Sequence, residues 1–108
     1  MAKTQWIAVD FDHTVWDNSA DAPMAGVGEA FQEIRARGIK IMVHSCNNPD
    51  YIGQKLLDQG IVIDGIWAGA GKPVASVYVD DRGYRFTGDW QQTAQDVIAM
   101  VESRPVRS

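Results

Sequence analysis

Apolar residues in this chain gather in short runs that stop on polar residues, and stretches of helical period separate the runs. Trp6-Ile7-Ala8-Val9 is an unbroken apolar run ending at Asp10. Such a run suits a strand buried on both faces of a parallel sheet. Residues 12–24 hold Asn18, Ser19, Asp21 and Pro23, all turn formers, and read as loop. Val27, Ala30, Phe31 and Ile34 then recur at i, i+3, i+4 and i+7, the stripe of an amphipathic helix, which Gly38 stops. Ile39 to Val43 is a second buried strand and runs into His44-Ser45-Cys46-Asn47.

Asn48-Pro49 reads as an N-cap followed by proline at the first helical position. The helix it opens points Ile52, Leu56 and Leu57 inward and ends at Gly60. Residues 61–66 (IVIDGI) predict a third strand, weakened by Asp64 and Gly65. Residues 75–79 predict a fourth, ending at Asp80-Asp81, and 84–86 a short fifth. Asp89 with Gln92 three residues on resembles a capping box. It opens a last helix with the stripe Trp90, Ala94, Val97, Ile98 and Val101. Trp6 and Trp90 are expected in the core.

Strands alternating with helices imply an α/β fold, with right-handed crossovers and a parallel sheet covered on both faces. Ligands of such sheets bind beyond the carboxyl ends of the strands. Asp10, Asp12, Ser45, Asn47, Lys72, Asp80 and Asp81 all follow strand ends or sit in loops there, so they are expected to converge on one edge.

The 108 residues suit a single domain, 1–108, able to bury a core without cross-links. One cysteine, Cys46, excludes an intrachain disulfide and a thiolate-rich zinc site. The net charge of −4 and the lack of a dense basic patch argue against extended nucleic-acid binding. The opening residues meet acids too early for a secretory signal, and no apolar run approaches a membrane span. A cytoplasmic location, with no membrane partner, is expected.

Several carboxylates on one sheet edge repel one another, and a hard divalent cation relieves this. Oxygen ligands without Cys or His pairing point to magnesium. Lys72 and the Ser45 hydroxyl add donors for an anion. A cation, a carboxylate nucleophile and phosphate-sized donors together suggest phosphoryl transfer.

The same residues resemble a known family. Asp10-Phe11-Asp12-His13-Thr14 after an apolar strand is similar to the first motif of the haloacid dehalogenase superfamily, DxDx[TV]. Ser45 fits the second motif, Lys72 the third, and Asp80-Asp81 the fourth, in family order. The resemblance covers residues 6–81 and implies a three-layer α/β/α parallel-sheet fold. It implies a phosphatase in which Asp10 attacks phosphorus and forms an aspartyl-phosphate, while Asp12 serves as acid and then base. Magnesium would be held by Asp10, the Asp12 carbonyl and a fourth-motif acid, Asp81 directly and Asp80 in the outer shell. Ser45, with the adjacent Cys46, and Lys72 would bind phosphoryl oxygens.

His13 departs from the glycine often found at its position in that motif. The spacing of the motifs leaves no room for a cap domain, so the site is open to large substrates or closed by another subunit, in which case the protein is an oligomer. A phosphorylated small molecule, a nucleotide or a nucleic-acid end each suits an open site.

Plainer readings stand beside these. Asp10, Asp12, Asp80 and Asp81 can be strand-end and turn acids, Ser45 a loop hydroxyl and Lys72 a solvated lysine. Cys46 is most simply a small buried residue. His13 and His44 suit site-lining or structural roles better than metal ligation. Trp16 is a candidate to stack on a substrate ring, and Arg82 and Arg85 to meet an anion or pair with nearby acids. Gly69-Ala70-Gly71-Lys72 is not a P-loop, because Pro73 follows the lysine and Gly65 is one residue out of register. A receiver-type phospho-acceptor domain would carry its adjacent acids after the first strand, the reverse of the order here. A non-catalytic magnesium- or phosphate-binding module is the remaining alternative.

Overall fold

The computed structural model describes residues 4–45, 48–67, 75–79 and 84–103. In chain order these form β1 (Gln5–Asp10), β2 (Trp16–Asp17), β3 (Ala22–Pro23), α1 (Val27–Ala36), β4 (Ile39–His44), α2 (Pro49–Asp58), β5 (Gly65–Trp67), β6 (Val77–Val79) and α3 (Trp90–Glu102). The long apolar strands β1 and β4 pair in parallel from Gln5↔Ile39 to Asp10↔His44. With the shorter β5 and β6 they make a four-stranded parallel sheet in the order β5-β4-β1-β6. The α/β class read from the alternating pattern is therefore present.

Register sorts the strand residues onto two faces. Ile7, Val9, Ile41, Val43, Val77 and Val79 share one face, and all belong to a single core cluster with the buried residues of α1, α2 and α3. On α1 these are the stripe residues Val27, Ala30, Phe31 and Ile34. Gly38 follows at φ 77°, a left-handed conformation that glycine adopts without strain, and turns the chain back into β4. Trp90 of α3 packs edge-on against Phe31 of α1, with ring centroids 5.2 Å apart.

The opposite face carries Trp6, Ala8, Met42, His44, Trp67 and Tyr78. There Ala8 is buried while Trp6, Met42, His44, Trp67 and Tyr78 are half-buried, and none of the six belongs to the core cluster. Trp6, expected in the core, lies on this face beneath the Lys40 ammonium, 5.4 Å from its ring; Trp90 is buried as expected.

Other boundaries shift for local reasons. The third strand begins only at Gly65, because Asp64 turns aside to bind the Arg35 guanidinium at 3.1 Å and the Ile41 amide at 2.8 Å. The expected fifth strand is a single bridge between Val79 and Tyr84. Leu57 points outward and is 73% exposed, since Ile52 and Leu56 already fill the inner face of α2. It lines an apolar groove of about 510 Å³ with Leu56, Ile61, Val62 and Ile66. The caps follow the sequence: Asn48 accepts from the Asp50 amide and Asp89 from the Gln92 amide. Among the described residues no helix is long and apolar enough to cross a membrane.

Candidate active site

Parallel pairing of β1 with β4 in register delivers Asp10 and His44 side by side at the carboxyl edge of the sheet. The Phe11 amide extends the pairing by one bond to the His44 carbonyl, 3.1 Å. The chain then winds tightly. The Phe11 carbonyl accepts from the amides of Val15 at 3.0 Å and Trp16 at 2.9 Å. This winding needs His13 at φ 61°, a left-handed conformation uncommon for a residue with a side chain.

The turn sets Asp12 against the residue that follows β4. Ser45 Oγ donates to Asp12 Oδ2 at 3.1 Å, across 33 positions of sequence. The other carboxylate oxygen, Asp12 Oδ1, accepts from Asn18 Nδ2 at 3.0 Å. Asn18 in turn accepts the His13 amide on its own Oδ1, also at 3.0 Å. Asp12 is thus gripped from the core strand end on one side and from its own loop on the other.

That loop, expected to lack regular structure, is a small hairpin. Trp16 pairs with Pro23 and Asp17 with Ala22, and Asp17 Oδ1 accepts the amides of Ser19 and Ala20 to close the tip. Strands of two residues leave no alternating pattern to read. Trp16 is buried and stacks on Phe11 at 5.7 Å, so it is part of the core and not a platform for a substrate ring. Its indole N–H reaches Asp21 Oδ1 at 3.2 Å, and Lys55 Nζ of α2 reaches the same oxygen at 3.0 Å. Lys55 also lies over the rings of Trp16 and Tyr51, at 4.5 and 4.8 Å. The hydrogen bond from Lys55 holds the Asp21 carboxyl below its ordinary range, and the same bond raises the Lys55 ammonium.

From the other side, Trp90 Nε1 donates to the Thr14 carbonyl at 2.8 Å, tying α3 to the turn after Asp12. His44 keeps a buried Nε2 with no hydrogen-bond partner among the described residues.

Of the residues singled out from the sequence, Asp10, Asp12 and Ser45 meet at one edge of the sheet. Cys46, Asn47, Lys72, Asp80, Asp81 and Arg82 lie outside the described residues. Among the described residues no group of three or more His, Cys, Asp or Glu forms a metal site. Asp10 and Asp12 do supply two hard oxygen donors of the kind magnesium takes, so their chemistry fits that ion. Asn18, Asp21 and Lys55 carry no sequence signal of a role here; only the turn brings Asn18 back onto Asp12.

Compared with protein-family models, curated proteins and solved structures, the chain matches none.

Proposed function

We propose that this protein is a magnesium-dependent phosphatase of the haloacid dehalogenase type, acting on phosphomonoesters through an aspartyl-phosphate. The observation that supports it most is the contact of Ser45 Oγ with Asp12 Oδ2. It joins the first-motif and second-motif positions at the carboxyl edge of two adjacent parallel strands, where α/β sheets bind ligands. The reading takes the fold as the three-layer type of that superfamily, with the described helices forming one of its two flanking layers.

In this reading an Asp10 carboxylate oxygen attacks phosphorus as the ester P–O bond breaks. The electron pair leaves on the ester oxygen, which takes a proton from Asp12. Asp12, now a carboxylate, removes a proton from water as the water oxygen attacks phosphorus, and the P–O bond to Asp10 breaks with its electrons returning to the carboxylate. Ser45 and Lys72 hold phosphoryl oxygens, and Lys72 also steadies the charge of Asp10. Asp10, the Asp12 carbonyl and Asp81, with Asp80 in the outer shell, would hold magnesium, which would supply charge neutralisation.

The test is release of phosphate from an aryl phosphate with and without magnesium, comparing the intact protein with Asp10→Asn. Turnover that needs the metal and disappears in the variant supports the reading. Metal-independent release, or release equal in both proteins, overturns it.

A further inference from the structure

The hairpin β2–β3 does more than cover the core, because it sends one side chain back to the acid-base position. Asn18 stands between two partners. Its carbonyl oxygen accepts the His13 amide, which fixes the side chain's orientation. Its amide nitrogen is thereby aimed at Asp12 Oδ1, 3.0 Å away. The hairpin itself is anchored on both sides: the Met24 amide bonds the Val15 carbonyl at 2.8 Å, and Lys55 of α2 clamps Asp21 and the Trp16 ring. Asn18 is thus presented from a fixed support.

We propose that Asn18 is a positioning residue for Asp12, holding Oδ1 so that Oδ2, the oxygen that meets Ser45 Oγ, is the one presented to the ester oxygen it protonates. This rests on the phosphatase reading. The geometry carries a specific consequence. When the P–O bond to the leaving group breaks, the electron pair goes to the ester oxygen and the proton to that oxygen comes from Asp12. An alkoxide leaving group depends on the proton far more than p-nitrophenolate, which departs as a stable anion. Loss of orientation at Asp12 should therefore be felt selectively by poor leaving groups.

The experiment measures kcat/KM, which covers the steps up to leaving-group departure, for p-nitrophenyl phosphate and for a simple alkyl phosphate. The intact protein is compared with Asn18→Ala and Asn18→Asp. Asn18→Asp keeps an acceptor for the His13 amide, so the turn is retained, but it has no donor for Asp12. In both variants the ratio of aryl to alkyl kcat/KM should rise by about tenfold or more, part of the roughly 10²–10⁴-fold that a general acid contributes. An Asn18→Asp protein with the ratio of the intact protein overturns the proposal and leaves the phosphatase reading standing. An intact protein that turns over neither ester overturns both. The contact has its own readout: the Asn18 side-chain amide resonances should move in Asp12→Ala, and unmoved resonances overturn the proposal whatever the turnover.

Discussion

Ser45 Oγ and Asp12 Oδ2 lie 3.1 Å apart although 33 positions separate them in the chain. The contact follows from register. Asp10 and His44 are cross-strand partners, so the residues just beyond them leave the sheet together, and the tight turn on the Phe11 carbonyl folds Asp12 back toward β4. In the proposed chemistry Ser45 meets both Asp12 and a phosphoryl oxygen. Ser45→Ala should then lower kcat/KM by about tenfold, the loss of one hydrogen bond to a charged group, and weaken inhibition by inorganic phosphate. Steady-state kinetics with phosphate as a competitor checks this.

Trp90 couples the last helix to the turn that carries Asp12. Its buried indole donates to the Thr14 carbonyl and packs on Phe31 and Phe86. Trp90→Phe keeps most of the ring but leaves that carbonyl without its donor, which should cost about 2 kcal/mol in urea unfolding. Trp90→Ala adds a cavity and should cost about 3–5 kcal/mol.

Asp64 joins α1, β4 and the start of β5. The Arg35 guanidinium holds its carboxyl below the ordinary value, burial opposes this, and the Ile41 amide adds to the lowering. A depressed folded-state value means that the unfolded chain takes up the proton first as pH falls. The stabilisation is therefore present above the ordinary value of 3.8 and is lost as pH falls through the folded value. Asp64→Asn should be less stable than the intact protein at neutral pH, and the gap should close on acidification below about pH 4. Asp64→Ala also strips the buried Ile41 amide of its acceptor, for about 1–3 kcal/mol. Urea midpoints across the pH range measure both.

The clamp of Lys55 on Asp21 and Trp16 holds the hairpin against α2. Lys55→Met keeps the aliphatic stem and removes the charge. Amide exchange at Met24, whose N–H closes the hairpin on Val15, should quicken, while the α1 amides of the core exchange as before. The high-salt intact protein should move in the same direction, because exposed ion pairs are screened.

Much of this arrangement was legible in the chain, and the reasons for the rest are physical. The runs at Trp6–Val9 and Ile39–Val43 and the stripe from Val27 to Ile34 mark β1, β4 and α1, since a buried strand and a half-buried helix leave distinct periods. Those elements suffice to bring Asp10, Asp12 and Ser45 to one edge. The hairpin is invisible because two-residue strands have no period. Leu57 looks as apolar as Leu56, and only packing decides which one faces in. Trp6 reads as core by composition, yet strand alternation sends it to the opposite face from Ile7. Asn18 reads as a turn former, which it is; its reach to Asp12 depends on the left-handed backbone at His13.

The proposed chemistry requires Asp10 to become phosphorylated during turnover. Mixing the protein with magnesium and a labelled phosphomonoester, quenching in acid and mapping the label by mass spectrometry tests it directly. The peptide containing Asp10 should carry an acid-stable, base-labile phosphoryl group that is absent in Asp10→Asn. Label on another residue, or label undiminished in Asp10→Asn, would contradict it.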